Sequence, residues 1–153
     1  MPEKKNLDEY MAFGYWFLEE VEDLSEEDAE LTILDGPWDQ GRDAVYFDEE
    51  NEILKIYQFK YSTEPSYVLS AFKDIQRAIQ AEHNLDTSPI HRAKMLRLYV
   101  VTLADANEKV REEYKKTRKR IRTWLTKHGY NLDADIEIFD LKNLLKCLKK
   151  YTG

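Results

Sequence analysis

The 153-residue sequence predicts an α/β domain in which a mixed sheet is flanked by helices. Three observations carry that expectation. Short runs rich in Val, Ile, Tyr and Phe alternate with longer stretches whose apolar residues recur every three or four positions, as strands and amphipathic helices require. The segment Gly41–Tyr61 holds two such short runs around a polar turn, Asp48-Glu49-Glu50-Asn51, and reads as a hairpin. After it, helical and strand patterns alternate to the last residue, the order of parallel βαβ units.

Length and composition narrow the class. A chain of this size is expected to fold as one domain over residues 1–153 with a substantial core. No run is apolar enough for a membrane span, and MPEKKNLDEY has none of the features of a signal peptide, so a cytoplasmic protein without membrane contact is expected. The one cysteine, Cys147, excludes an internal disulfide and a cysteine-rich zinc site. The net charge of −7 speaks against a nucleic-acid partner only until its distribution is read. Residues 1–52 carry about −15 and residues 92–128 about +8, an acidic half and a basic helix.

The elements follow in order. Leu7–Asp23 is expected to be a helix, with Leu7, Tyr10, Phe13, Phe17, Val21 and Leu24 on one stripe, Glu20 at its edge and Glu19 toward solvent. Ser25 reads as an N-cap and Glu26-Glu27-Asp28 as an acidic first turn, starting a short helix or turn. Glu30–Leu34 is expected as a first strand, and Asp35–Arg42 as a loop containing Trp38. Asp43–Phe47 and Ile53–Tyr61 form strands two and three. Ser66–Glu82 is a helix with Val68, Leu69, Phe72, Ile75 and Ile79 inward. His83 and His91 fall in a linker and read as surface residues, with a helical turn or two over Ser88–Lys94. Leu96–Leu103, the most apolar strand, belongs in the centre of the sheet. Ala106–His128 is a long helix stopped at Gly129. Asp135–Leu141 and Lys142–Tyr151 supply a last strand and helix.

The hairpin carries the chemistry. With a side-chain period of two, Leu54, Ile56, Gln58 and Lys60 share one face, and Ile53, Tyr57, Phe59 and Tyr61 the other. A two-residue loop pairs Asp48 with Asn51, and a four-residue loop pairs Phe47 with Glu52. Either register sets Asp43 opposite Ile56 on the Gln58 face, whereas a three-residue loop turns it away. A carboxylate, an amide oxygen and an ammonium on one face suit a hard cation and a phosphate.

Asp43 followed by Gln58-Phe59-Lys60 resembles the PD-(D/E)xK nuclease superfamily. Within it, the pattern is similar to the Q-x-K branch of Mrr-like restriction nucleases and of the N-terminal domains of abortive-infection phage-resistance proteins. The approach Asp35–Val45 is similar to that family's Gly-rich G-x-D segment, departing at Arg42 where Ile is usual. The element order resembles the restriction-endonuclease-like α-β-β-β-α-β core, with an extra helix, strand and helix at the C-terminus. The resemblance implies an endonuclease dependent on Mg²⁺ (or Mn²⁺) and acting on nucleic acid, with DNA the expected form, in restriction or phage defence. It implies metal ligands at Asp43, Gln58 and the Phe59 carbonyl, and Lys60 at the attacking water or the phosphate. A helix carboxylate at Glu20 would complete the catalytic set. Lys115, Lys116, Lys119 and Arg122 would meet phosphates, and a homodimer or further domains in a longer protein are compatible. Two rivals stand beside it: a non-catalytic nucleic-acid or protein-interaction module on the same fold, and polar residues at a sheet edge with no site role.

Overall fold

The structure is a computed structural model that describes residues 11–32 and 43–152, with side chains to residue 148. Four strands form one open sheet in the order β1-β2-β3-β4: β1 Ala44–Asp48, β2 Ile53–Lys60, β3 Met95–Thr102 and β4 Asp133–Phe139. β1 and β2 pair antiparallel, and β2, β3 and β4 run parallel. Helix α1 covers residues 11–16 and continues into a π-helical turn, Phe17–Val21. It is followed by α2 Glu26–Thr32, α3 Pro65–Asn84, α4 Glu108–Lys127 and α5 Leu141–Thr152. A 3₁₀ turn, Pro89–His91, lies between α3 and β3. This is the expected α/β architecture, a mixed sheet flanked by helices.

Period-two alternation sorts the core into two layers. Leu54, Ile56, Leu96, Leu98 and Val100 point to one face and are covered by the α3 stripe Val68, Phe72, Ile75 and Ile79 and by Val110, Ile121 and Leu125 of α4. Ala44, Tyr57, Phe59, Tyr99 and Val101 point to the other face, against Phe13, Phe17 and Leu18 of α1, Ala29 of α2 and Leu144 of α5. The two central strands are buried on both faces, which explains why Leu96–Leu103 lacks polar alternation. Local chemistry sets the helix ends: Asn107 Oδ1 accepts from the Val110 amide at 2.9 Å, and Gly129 sits at φ +81° just past α4.

Three expectations are corrected. The first strand is absent where it can be judged: Glu30–Thr32 closes α2, whose start is capped by Ser25 Oγ accepting from the Asp28 amide at 3.1 Å. Ile33 and Leu34, and the loop with Trp38, lie outside the described residues. The acidic first turn Glu26-Glu27-Asp28 favours a helix here, and it overrides the strand preference of the β-branched Thr32. The hairpin register is shifted by two residues, since Asp48 pairs Ile53 across a four-residue turn Glu49–Glu52 with Glu52 at φ +55°. A two-residue shift keeps every side chain on its expected face. The third correction is Glu20.

A π-turn spends one extra residue, so each residue after it takes the angular position that an unbroken α-helix gives its predecessor. Glu20 is thereby turned out and is exposed, while Glu22 moves onto the stripe that a regular wheel assigns to Val21. There Glu22 Oε1 accepts from the Tyr57 hydroxyl at 2.6 Å and lies 3.7 Å from Lys55 Nζ. The helix carboxylate that reaches the sheet is therefore Glu22, on the face opposite the Gln58 side chain.

Removing this staple leaves the buried Tyr57 hydroxyl without its acceptor. Glu22→Ala is expected to cost about 2–3 kcal/mol in urea unfolding. A cost within about 0.5 kcal/mol, the usual range for surface positions, would mean that the π-turn does not aim this side chain.

Candidate active site

The carboxyl end of β2 brings together the three residues expected to share a face. Asp43 stands one residue before β1 and grips β2 on both sides of Gln58. Its amide donates to the Tyr57 carbonyl at 3.2 Å, and its Oδ2 accepts from the Phe59 amide at 2.7 Å. Extending the observed ladder by one position sets Asp43 beside Gln58, not opposite Ile56 as the other registers would have it. Gln58 is 4% exposed, and its Oε1 is buried with no hydrogen-bond partner. The Lys60 ammonium lies 3.1 Å from Asp74 Oδ2 on α3, and Arg77 Nη1 is 3.7 Å from the other Asp74 oxygen.

Burial governs the electrostatics. Asp43 is 2% exposed, and loss of solvation raises its carboxyl to about 7. The hydrogen bond from Phe59 and the charge of Lys60 pull the other way, and the charge of Asp74 adds to the rise. A buried carboxyl raised to about 7 near a lysine, with an unsatisfied amide oxygen on the same strand face, is a costly arrangement for a merely structural group.

The remaining expected residues are placed elsewhere. Phe59 contributes its peptide to the site, while its ring packs on the other face against Phe13 and Phe17. Glu20 makes no contact with Asp43, Gln58 or Lys60 among the interactions described for them. Lys115, Lys116, Lys119 and Arg122 are exposed on α4, though Lys116 lies 3.9 Å from Glu113 and Arg122 donates to the Ala134 carbonyl at 3.0 Å. Because α4 leaves the carboxyl end of β3 and runs back along the sheet, this basic ridge extends away from Lys60.

Asp74 is the site residue that the sequence reading missed. Its signal was present: Ala71, Asp74, Ile75 and Ala78 follow the i, i+3, i+4, i+7 spacing, so a charge interrupts the buried stripe of α3. His83 is not in a linker but in the last turn of α3, where it is half-buried. All three histidines gather at the far end of α4, where Tyr130 Oη lies 2.6 Å from His83 Nδ1 and 3.4 Å from His91 Nδ1, and the His128 ring stacks on Trp124 at 4.0 Å.

The donor set at β2 fits a hard divalent cation in type. Asp43 Oδ1 and Gln58 Oε1 are oxygens, and Oε1 lacks any other partner. The set is small: among the described residues no three His, Cys, Asp or Glu side chains are grouped to hold a metal ion. Such a site suits Mg²⁺, which keeps several waters and needs few protein ligands.

The raised Asp43 carboxyl has a consequence for stability. Because its folded value of about 7 lies above the ordinary 3.8, its favourable contribution is complete below about 4 and is lost as pH rises through 7. Asp43→Asn, which can still accept from Phe59, is expected to be more stable than the parent at pH 8, by on the order of 2–4 kcal/mol, and to lose that advantage near pH 4. Urea unfolding at the two pH values checks this, and an advantage that does not depend on pH would contradict the burial of a charge here. Comparison of the chain with protein-family models, with curated proteins and with solved structures finds no match.

Proposed function

We propose that this domain is a metal-dependent nuclease that hydrolyses phosphodiester bonds in nucleic acid, with DNA the expected substrate. The observation that carries the reading is the buried, unpartnered Gln58 Oε1 on the strand face it shares with Lys60 and with Asp43, whose carboxyl burial pushes up to about 7. The sequence pattern of Asp43, Gln58 and Lys60, similar to the Q-x-K branch of PD-(D/E)xK nucleases, supports the same reading. Restriction or phage defence is the setting that this resemblance implies.

Asp43 and Gln58 would hold the cation through Oδ1 and Oε1, with the Phe59 peptide beside them. When bound, a divalent ion supplies charge neutralisation at the phosphate and a more acidic water. Asp43 is held in orientation by the Phe59 amide, so its second oxygen keeps a fixed direction. Lys60, held at 3.1 Å by Asp74, serves as an ammonium that orients the phosphate and the attacking water. Asp74 is a positioning residue for that lysine. The carboxyl end of a parallel strand is also where open α/β sheets commonly place their ligands.

A second reading is a binding module on the same fold, without cleavage. It is favoured by the single firm carboxylate at the site and by the exposed cations of α4.

Cleavage of plasmid, single-stranded DNA and RNA in Mg²⁺ or Mn²⁺, against EDTA, separates the two. Lys60→Ala is expected to lower the rate about 100-fold or more with the fold intact, the scale of removing one positioned electrostatic group. Parental rates in both Asp43→Asn and Lys60→Ala would defeat the nuclease reading.

Gln58→Glu replaces the unpartnered amide by a carboxylate of similar shape. If Gln58 is a ligand, calorimetry should show Mn²⁺ binding several-fold more tightly, because an anion attracts a dication more strongly than a dipole does. Because protons compete for Asp43, ion affinity in the parent should also fall as pH drops below about 7. Reversing Lys115 and Lys119, which are exposed, should flatten the salt dependence of duplex binding by about 0.9 log units for each lost phosphate contact.

A further inference from the structure

The crevice between α3 and α4 is distinct from the site on β2. It consists of two adjoining depressions of about 210 and 230 Å³ that share Gln76 and Arg120. Together they fall within the size range of small-molecule sites, roughly 300–1,000 Å³. Their linings differ in kind.

The first depression is cationic. Lys73 of α3 and Lys109 and Arg120 of α4 line it, all three exposed, and none is ion-paired to a described residue. The one carboxylate there, Glu113, is drawn toward Lys116 at 3.9 Å. Thr117, 1% exposed, lies in the wall, and its Oγ1 has no partner. Thr126, on the same helix, bonds back to the Arg122 carbonyl at 3.0 Å, the usual choice for a helical threonine. Three cations and one carboxylate leave the depression with an excess of positive charge, which an anion would offset.

The second depression is mostly apolar. Ile79, Ile121 and Trp124 line it together with Gln76, Gln80 and Arg120, and the Gln76 amide nitrogen also donates to the Phe72 carbonyl at 3.4 Å. The His128 ring stacked at 4.0 Å braces the indole. An aromatic wall with two amides suits a planar heterocycle that has both donors and acceptors on its edge. A bare anion would have no use for that half.

We propose that the α3–α4 crevice binds a nucleotide unit, with its phosphate among Lys73, Lys109 and Arg120 and its base against Trp124. The amides of Gln76 and Gln80 meet the edge of the base. The unit can come from a free mononucleotide or from one residue of a single strand, and the two sources share this chemistry.

Calorimetric titration of the whole chain with adenosine, guanosine and cytidine monophosphates, inorganic phosphate and a short oligodeoxynucleotide tests the proposal. At least one nucleotide or the strand should bind ten-fold or more tightly than inorganic phosphate. Lys73→Ala and Arg120→Ala should each weaken that binding five-fold or more, and Gln80→Ala, at an exposed position, should change the preference among bases without altering the melting temperature. A free nucleotide as the source predicts saturation by the monophosphate with no gain from the longer strand. A strand predicts the reverse, with the same dependence on Lys73 and Arg120. Equal affinity for phosphate and nucleotides, or indifference to both charge removals, would overturn the proposal. Asp43→Asn should leave this binding unchanged, so loss of the nuclease reading and loss of this one are told apart.

Discussion

The hydrogen bond from the Phe59 amide to Asp43 Oδ2 holds the functional end of the sheet together. β1 pairs with β2 only as far as Ala44, and beyond that point the acceptor for a β2 amide is a side chain. A single residue therefore ends the strand pair, donating to Tyr57 and accepting from Phe59 on either side of Gln58. The bond is made inside the protein, where it is strong, but it does not cancel the cost of burying the charge. That imbalance raises the carboxyl to about 7.

β2 serves two purposes because its side chains alternate. One face carries Tyr57 and Phe59 into an aromatic layer with Phe17 and Tyr99, where rings stack at 4.7 Å and meet edge-on near 6 Å. The other face carries Leu54 and Ile56 into the α3 core and then ends in Gln58 and Lys60. The aromatic layer and the Glu22 staple fix the strand from behind. The polar end can then bear unsatisfied groups without the strand shifting, since a slip of one residue would bury Lys60 among rings.

Much of this was legible in the sequence. The order of the last seven elements, the central place of Leu96–Leu103 and the shared face of Asp43, Gln58 and Lys60 all follow from periodicity, and periodicity is insensitive to a two-residue error in register. The errors arose where period alone misleads. The Glu30–Leu34 segment has strand-forming residues, yet the acidic turn before it starts a helix that runs through Thr32. Glu20 was placed by a regular 3.6-residue wheel, and a π-turn leaves no mark in composition. The histidines are 8 and 37 residues apart along the chain, and they meet because α3 and α4 pack parallel with their C-terminal ends together.

Asp74 bears most directly on how the site would work. A charge in the buried stripe of α3 would destabilise the domain if it stood alone, and its nearest partner is Lys60 at 3.1 Å. The pair is half-shielded, so the ammonium is held by a carboxylate that itself depends on it. Within Coulomb reach of both lies Asp43, stabilised by the lysine and disfavoured by Asp74. Asp43, Lys60, Asp74 and Arg77 thus form one balance in which ionised Asp43 and Asp74 are matched by two cations, one of them, Arg77, on the outer side of Asp74. On the proposed nuclease reading, a dication beside Asp43 would also give Gln58 Oε1 the partner it lacks. The buried carboxyl and the open amide oxygen are the two groups of the sheet end that the proposed reading would give to a hydrated hard cation.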